Sequence, residues 1–131
     1  MTAETAMKIL VVDDFSATRQ VVKNTLEQFG FNNIEEVADG YSALVRLKSA
    51  LFDFVIMDWG ISQMSGLDLL KQIRADPELK HIPVLMVTED HLQENVVVAI
   101  KAGLNDYIIR PFEANIFAEK LEKIFQDLNL P

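Results

Sequence analysis

The sequence predicts an α/β domain in which five strands alternate with five helices, (βα)5, wound as a parallel sheet covered on both faces, three layers in all. Three observations predict it. Apolar runs repeatedly end in a polar residue able to do chemistry. Segments with helical period lie between those runs, and the connections are short, with no long structureless insert. Strands alternating with helices close as parallel pairs through right-handed crossovers.

The first strand is Met7-Lys8-Ile9-Leu10-Val11-Val12, which runs into Asp13-Asp14. The first helix carries the stripe Ala17, Val21, Val22, Leu26 and Phe29, and stops at Gly30, a residue suited to a helix C-cap. The second strand fits Ile34 to Ala38 and the second helix Tyr41 to Leu47. Phe54-Val55-Ile56-Met57 forms the third strand, leading into Asp58, and Leu67 to Ile73 the third helix. Ile82-Pro83-Val84-Leu85-Met86-Val87 is the fourth strand, ending at Thr88. The third and fourth strands are almost continuously apolar, as doubly covered central strands should be. Leu92, Val96, Ala99 and Ile100 repeat the helical pattern before Gly103, and Tyr107 to Ile109 is the last strand. The final helix has the clearest stripe, Phe117, Leu121, Ile124, Phe125 and Leu128, opposite a charged face of Glu119, Lys120, Glu122 and Lys123.

A chain of 131 residues fits one domain with a core large enough to need no staples; residues 1–6 are expected to be flexible and residues 7–131 to form the domain. A net charge of −8 opposes binding to nucleic acid or to an anionic membrane, both of which rely on basic patches. The absence of cysteine excludes a disulfide scaffold and a thiolate site. Residues 1–6 have neither a basic start nor an apolar segment, and no apolar run approaches the ~18 residues that span a bilayer. A soluble, unsecreted, cytoplasmic protein is expected, without membrane insertion and monomeric.

In a parallel sheet the C-terminal strand ends lie side by side, and open α/β sheets bind ligands at that edge. Asp13, Asp14 and Asp58 would then meet in one pocket. Like charges packed together destabilise one another unless a proton or cation intervenes, and the simplest compensation is a hard divalent ion such as Mg²⁺. Each residue alone has a bland reading. Asp14 could be a helix cap, Thr88 a strand end, Arg110 a solvated charge and Tyr107 a half-buried aromatic. Trp59 reads as packing, and His81 and His91 as surface residues with no second ligand at metal spacing.

Taken together, Val11-Val12-Asp13-Asp14-Phe15-Ser16, Met57-Asp58-Trp59, Val87-Thr88 and Arg110-Pro111-Phe112 closely resemble the receiver domains of two-component response regulators, over essentially the whole chain. Gly30-Phe31-Asn32-Asn33 and the Lys120-to-Phe125 ending are similar to the single-domain chemotaxis, CheY-like, branch of that family. The resemblance implies a flavodoxin-like strand order 2-1-3-4-5 and a cis bond before Pro111. It also implies phosphoryl transfer from a CheA-like histidine kinase onto Asp58. Mg²⁺ would be held by Asp14, Asp58 and the carbonyl of Gly60, with Asp13 acting through water. Thr88 and Arg110 would engage phosphoryl oxygens. Tyr107 would swing inward when Thr88 moves, coupling the site to the face of the fourth helix, fifth strand and fifth helix. A flagellar switch protein or another protein target is the implied partner.

The chain departs from the family pattern at four places. Arg110 stands where the family has lysine, and the two are not interchangeable: guanidinium is planar and bidentate, ammonium a compact point charge. Glu89 and then Asp90 follow Thr88 where a small residue is usual, which predicts slow loading from small anionic donors such as acetyl phosphate. Gly60-Ile61-Ser62 replaces Asn-Met-Pro, and His91-Leu92-Gln93 replaces a lysine-bearing helix start. These changes motivate an alternative, a degenerate receiver acting as a constitutive interaction module or phosphate sink. A third reading, a haloacid-dehalogenase-type phosphohydrolase, wants a second aspartate two residues after the first, and Asp13-Asp14-Phe15 does not supply it. No enzyme activity is expected beyond the chain's own phosphorylation and dephosphorylation.

Overall fold

The computed structural model describes residues 6–61, 63–89 and 93–128. Ten elements alternate along them: β1 (Ile9–Val12), α1 (Ser16–Gln28), β2 (Ile34–Val37), α2 (Gly40–Ser49), β3 (Phe54–Met57), α3 (Gly66–Ala75), β4 (Val84–Thr88), α4 (Gln93–Lys101), β5 (Asp106–Ile109) and α5 (Ala114–Asp127). The strands form one parallel sheet in the order β2-β1-β3-β4-β5, the order the resemblance implies.

Side-chain alternation divides the core in two. Leu10, Val12, Val55, Met57, Val84 and Met86 face one side and pack on α2, α3 and Ala99 of α4. Ile9, Val11, Phe54, Ile56, Leu85 and Val87 face the other and pack on Val22 and Leu26 of α1 and on Phe117, Leu121, Ile124 and Phe125 of α5. The sheet is therefore the middle of three layers. β3 and β4 are buried throughout, whereas the edge strand β2 leaves Glu35 and Glu36 to pair with Arg46 and Arg19.

The helix ends follow local chemistry. Asp39 caps α2 by accepting from the Ser42 amide, and Ser65 caps α3 by accepting from the Asp68 amide. Gly30 closes α1 with φ 94°, its amide bonded to the Glu27 carbonyl and that of Phe31 to Leu26, a Schellman motif. Gly103, with φ 107°, does the same for α4, its amide bonded to the Ile100 carbonyl and that of Leu104 to Ala99. Arg74 fastens the sheet edge remote from the strand C-termini: Nε donates to the Gly103 carbonyl at 2.9 Å, Nη1 to the Ile82 carbonyl at 2.7 Å and Nη2 to Asn105 Oδ1 at 2.9 Å.

Three helical stripes are narrower than their periodicity predicts; in the last of them Leu128 is the exposed cap of α5 and lies outside its buried face of Phe117, Leu121, Ile124 and Phe125. In α1, Ala17 and Val21 face solvent while Thr25 is buried, its hydroxyl donating to the Val21 carbonyl. Small and back-bonding residues blur a periodic pattern, because hydropathy ignores a hydroxyl satisfied within its own helix. In α4, Ile100 is exposed and Ala99 makes the core contact. Residues 1–5, Ser62, Asp90, His91 and Leu92 lie outside the described residues, so the expected loose start and the helix-opening changes do too. Among the described residues no helix is long and apolar enough to cross a membrane.

Candidate functional site

The sheet's hydrogen-bond ladder continues one step past the strand ends and brings the predicted residues to one edge. The Asp13 amide donates to the Val37 carbonyl, Asp58 to Val12 and Arg110 to Thr88. Asp13, Asp58 and Thr88 are buried, and Asp14 is half-buried beside them. A cis bond joins Arg110 to Pro111.

Arg110 is the hub. Its side chain is only 17% exposed, and Nη2 lies 3.2 Å from Asp58 Oδ2 and 3.4 Å from Glu89 Oε1. Nη1 donates to Thr18 Oγ1 at 2.9 Å, so one guanidinium joins α1, the end of β3 and the end of β4. Asp58 Oδ1 accepts from the Trp59 amide at 2.7 Å, while Asp13 Oδ1 accepts from the Phe15 amide at 2.9 Å and the Asp13 carbonyl from Arg19 at 2.6 Å. Trp59 packs against the core, as its sequence context predicts, and His81 is exposed.

The electrostatics follow from this crowding. The Asp13 carboxyl is held above its ordinary 3.8, first by burial and then by the charges of Asp58 and Asp14, against the Phe15 amide and Arg110, which pull it down. The folded state thus binds the Asp13 proton more tightly than the unfolded chain does. Its stability falls as pH climbs from about the unfolded value through the raised folded one. Asp13→Asn keeps an acceptor for the Phe15 amide and removes the charge. In metal-free buffer at neutral pH it should melt higher than the wild type by roughly 2–5 °C. The difference should shrink on acidification towards 3.8 and on adding Mg²⁺. Equal melting temperatures in neutral metal-free buffer would refute it.

The three carboxylates act on one another but do not form a ready cage: among the described residues no three His, Cys, Asp or Glu side chains are gathered to hold an ion. The reason is visible in the bonds above, since Asp58 is turned to Arg110 and Asp13 to its own loop. The donor chemistry still fits Mg²⁺, which keeps several waters and takes a few carboxylates and carbonyls rather than a full protein cage. Gly60 is exposed in the loop after Asp58, and a side chain there would meet nothing within 4 Å. Tyr107 pairs with Met86 across the β4/β5 ladder, as Thr88 does with Ile109, and the pleat puts all four on one sheet face. Its ring packs on the core with the Lys120 ammonium 5.2 Å from the centroid.

Two contributors were not legible as such. Thr18 looks like any polar helix residue, and its role depends on Arg110, ninety-two positions away in sequence. Gly66 opens α3, and its amide donates to the Trp59 carbonyl at 2.6 Å. A Cβ there would collide with the Asp58 carbonyl oxygen and lie 2.9 Å from Trp59 Cα. A glycine directly after a capping serine, where better helix formers are available, is the signal that could have found it.

Comparison with known proteins places the sequence and the fold in one family. The family model "Response regulator receiver domain" matches residues 9–122. Chemotaxis protein CheY-3 of Vibrio cholerae is 55% identical over 122 residues, covering 93% of this chain and 94% of that protein. Among solved structures, the chemotaxis response regulator CheY4 of Vibrio cholerae superposes with a TM-score of 0.83 at 30% identity, covering 91% of this chain and 98% of that one. The receiver domain of a sensor histidine kinase from Pseudomonas aeruginosa, described with a magnesium ion coordinated in its active-site cleft, gives 0.79 at 26% identity over 95% of this chain and 98% of that one.

Proposed function

Because the chain belongs to the response regulator receiver domain family, we propose that it is a phosphorylation-switched binding module whose acceptor is Asp58. The observation that best supports this reading is the cation of Arg110 held 3.2 Å from a buried aspartate at the sheet's C-terminal edge, with Asp13 and Thr88 on neighbouring strand ends. An Asp58 oxygen attacks phosphorus, an O–P bond forms, the P–N bond of a phosphohistidine donor breaks, and the imidazole leaves. Asp14, Asp58 and the Gly60 carbonyl, with Asp13 through water, would hold Mg²⁺, which supplies neutralising charge to the transferring group. Arg110 adds a fixed second cation, and the Thr88 hydroxyl donates to a phosphoryl oxygen. Movement of Thr88 would draw Tyr107 inward and change the face formed by α4, β5 and α5. The partners on this reading are a CheA-like histidine kinase as donor and a protein target, a flagellar switch component among the candidates, in the cytoplasm.

Trp59, the single tryptophan, adjoins Asp58 and reports on it. Its fluorescence should change with Mg²⁺ and again when beryllofluoride is added. A response to Mg²⁺ alone would overturn switching in favour of a constitutive module.

The rim residue Glu89 should slow loading from small donors. Its side chain is 77% exposed, yet it reaches Arg110 and so both repels anions and competes for the guanidinium. Glu89→Ala should accelerate loading from acetyl phosphate about threefold at low ionic strength, and the gain should fade as salt screens the charge. Unchanged rates of phosphoprotein formation at fixed Mg²⁺ would exclude this.

A further inference from the structure

We propose that Thr18 is a positioning residue for the acceptor site: its hydroxyl tethers Nη1 of Arg110, so that Nη2 is held in front of Asp58. The inference rests on the phosphoacceptor reading above and deepens it. A guanidinium on a four-bond stem is mobile unless its nitrogens are bound, and each nitrogen here has a distinct fate. Nε is buried and has no hydrogen-bond partner among the described residues. Nη2 is divided between Asp58 at 3.2 Å and Glu89 at 3.4 Å, both long contacts. Nη1 to Thr18 Oγ1, at 2.9 Å, is the shortest of these contacts and, among the described residues, the one that does not involve a carboxylate.

The tether matters because Glu89 pulls the other way. Glu89 sits at the exposed rim, and a free Arg110 would follow it out of the pocket; a hydroxyl on α1 holds it back. Thr18, Arg110 and Glu89 also line one open groove of about 470 Å³ between α1 and the loop after β5, so the tether is not a contact enforced by a sealed core. A lysine at 110 would have a single nitrogen and could not bond Thr18 and Asp58 from separate atoms. When Asp58 carries a phosphoryl group, Nη2 can pass to one of its oxygens while Nη1 stays on Thr18. The arginine thereby behaves as a pre-set donor rather than one that must be ordered on each cycle.

The test is a double-mutant cycle read by Trp59 fluorescence as the half-saturating concentration of beryllofluoride at fixed Mg²⁺, with melting temperature recorded for every variant. Thr18→Val removes the acceptor at nearly constant shape and should weaken the mimic about fivefold to tenfold. Thr18→Ser, which keeps the hydroxyl, should stay within about twofold of the wild type. In an Arg110→Lys background the Thr18→Val step should cost nothing further. An equal effect in both backgrounds, or none in the arginine protein, would overturn the tether while leaving the phosphoacceptor reading intact. A wild type that does not respond to beryllofluoride at all would overturn that reading, and the tether with it.

Discussion

Asp58→Asn should take up no phosphoryl group from acetyl phosphate and Mg²⁺, a loss of at least about a hundredfold relative to wild type, because an amide oxygen cannot replace the attacking carboxylate. Intact-mass measurement of the phosphoprotein reads this directly, and retention of the label at the wild-type rate would move the acceptor elsewhere. The stability of the same variant is more instructive. Crowded carboxylates alone predict that removing the Asp58 charge raises the melting temperature without metal. Yet Arg110 Nη2 lies 3.2 Å away on a largely buried side chain, so the substitution also takes from a buried cation its buried partner and leaves it the exposed Glu89. The two effects oppose, and the net shift for Asp58→Asn should be smaller than that for Asp13→Asn, where burial is the largest cause of the raised carboxyl. A larger gain at position 58 than at 13 would mean that Arg110 does not screen the acceptor.

Gly66→Ala should destabilise the fold by about 3 kcal/mol, lowering the melting temperature by roughly 10 °C. The new methyl would meet backbone, not a flexible side-chain end: the Asp58 carbonyl and, at 2.9 Å and 3.0 Å, Trp59 Cα and its carbonyl oxygen. Backbone can yield only by moving the acceptor loop, and the Gly66 amide bond to Trp59 would be lost with it. The variant should also show a weakened beryllofluoride response in the fraction that folds. Gly60→Ala is the control for stability alone, since its added carbon meets nothing. A Gly66→Ala protein as stable as Gly60→Ala would show that the loop does not rest on α3.

Much of the fold was legible because it is carried by short-range pattern. Runs such as Phe54 to Met57 announce a doubly buried strand by continuity alone, and Gly30 and Gly103 announce helix ends by their freedom at positive φ. The strand order was not derivable that way; it came with the family likeness. Asp13, Asp14, Asp58 and Thr88 were placed together by a single geometric rule about strand ends, whereas the place of Arg110 among them came with the family likeness. What periodicity could not convey was which way side chains turn once there. Arg110 was legible as a cation near the acceptor, but its tie to Thr18 depends on α1 crossing the edge at one height. The carboxylates were legible as neighbours, but not their preference for local amides and a guanidinium over a shared cage.

Arg74, remote from all of this chemistry, binds the Gly103 carbonyl at the end of α4, while of the described α4 residues Ala99 alone is buried. One end of that helix is bolted and the rest lies lightly on the sheet. Cutting the guanidinium at Arg74 should therefore loosen this helix more than any other single truncation outside the core, since little apolar area would remain to anchor it.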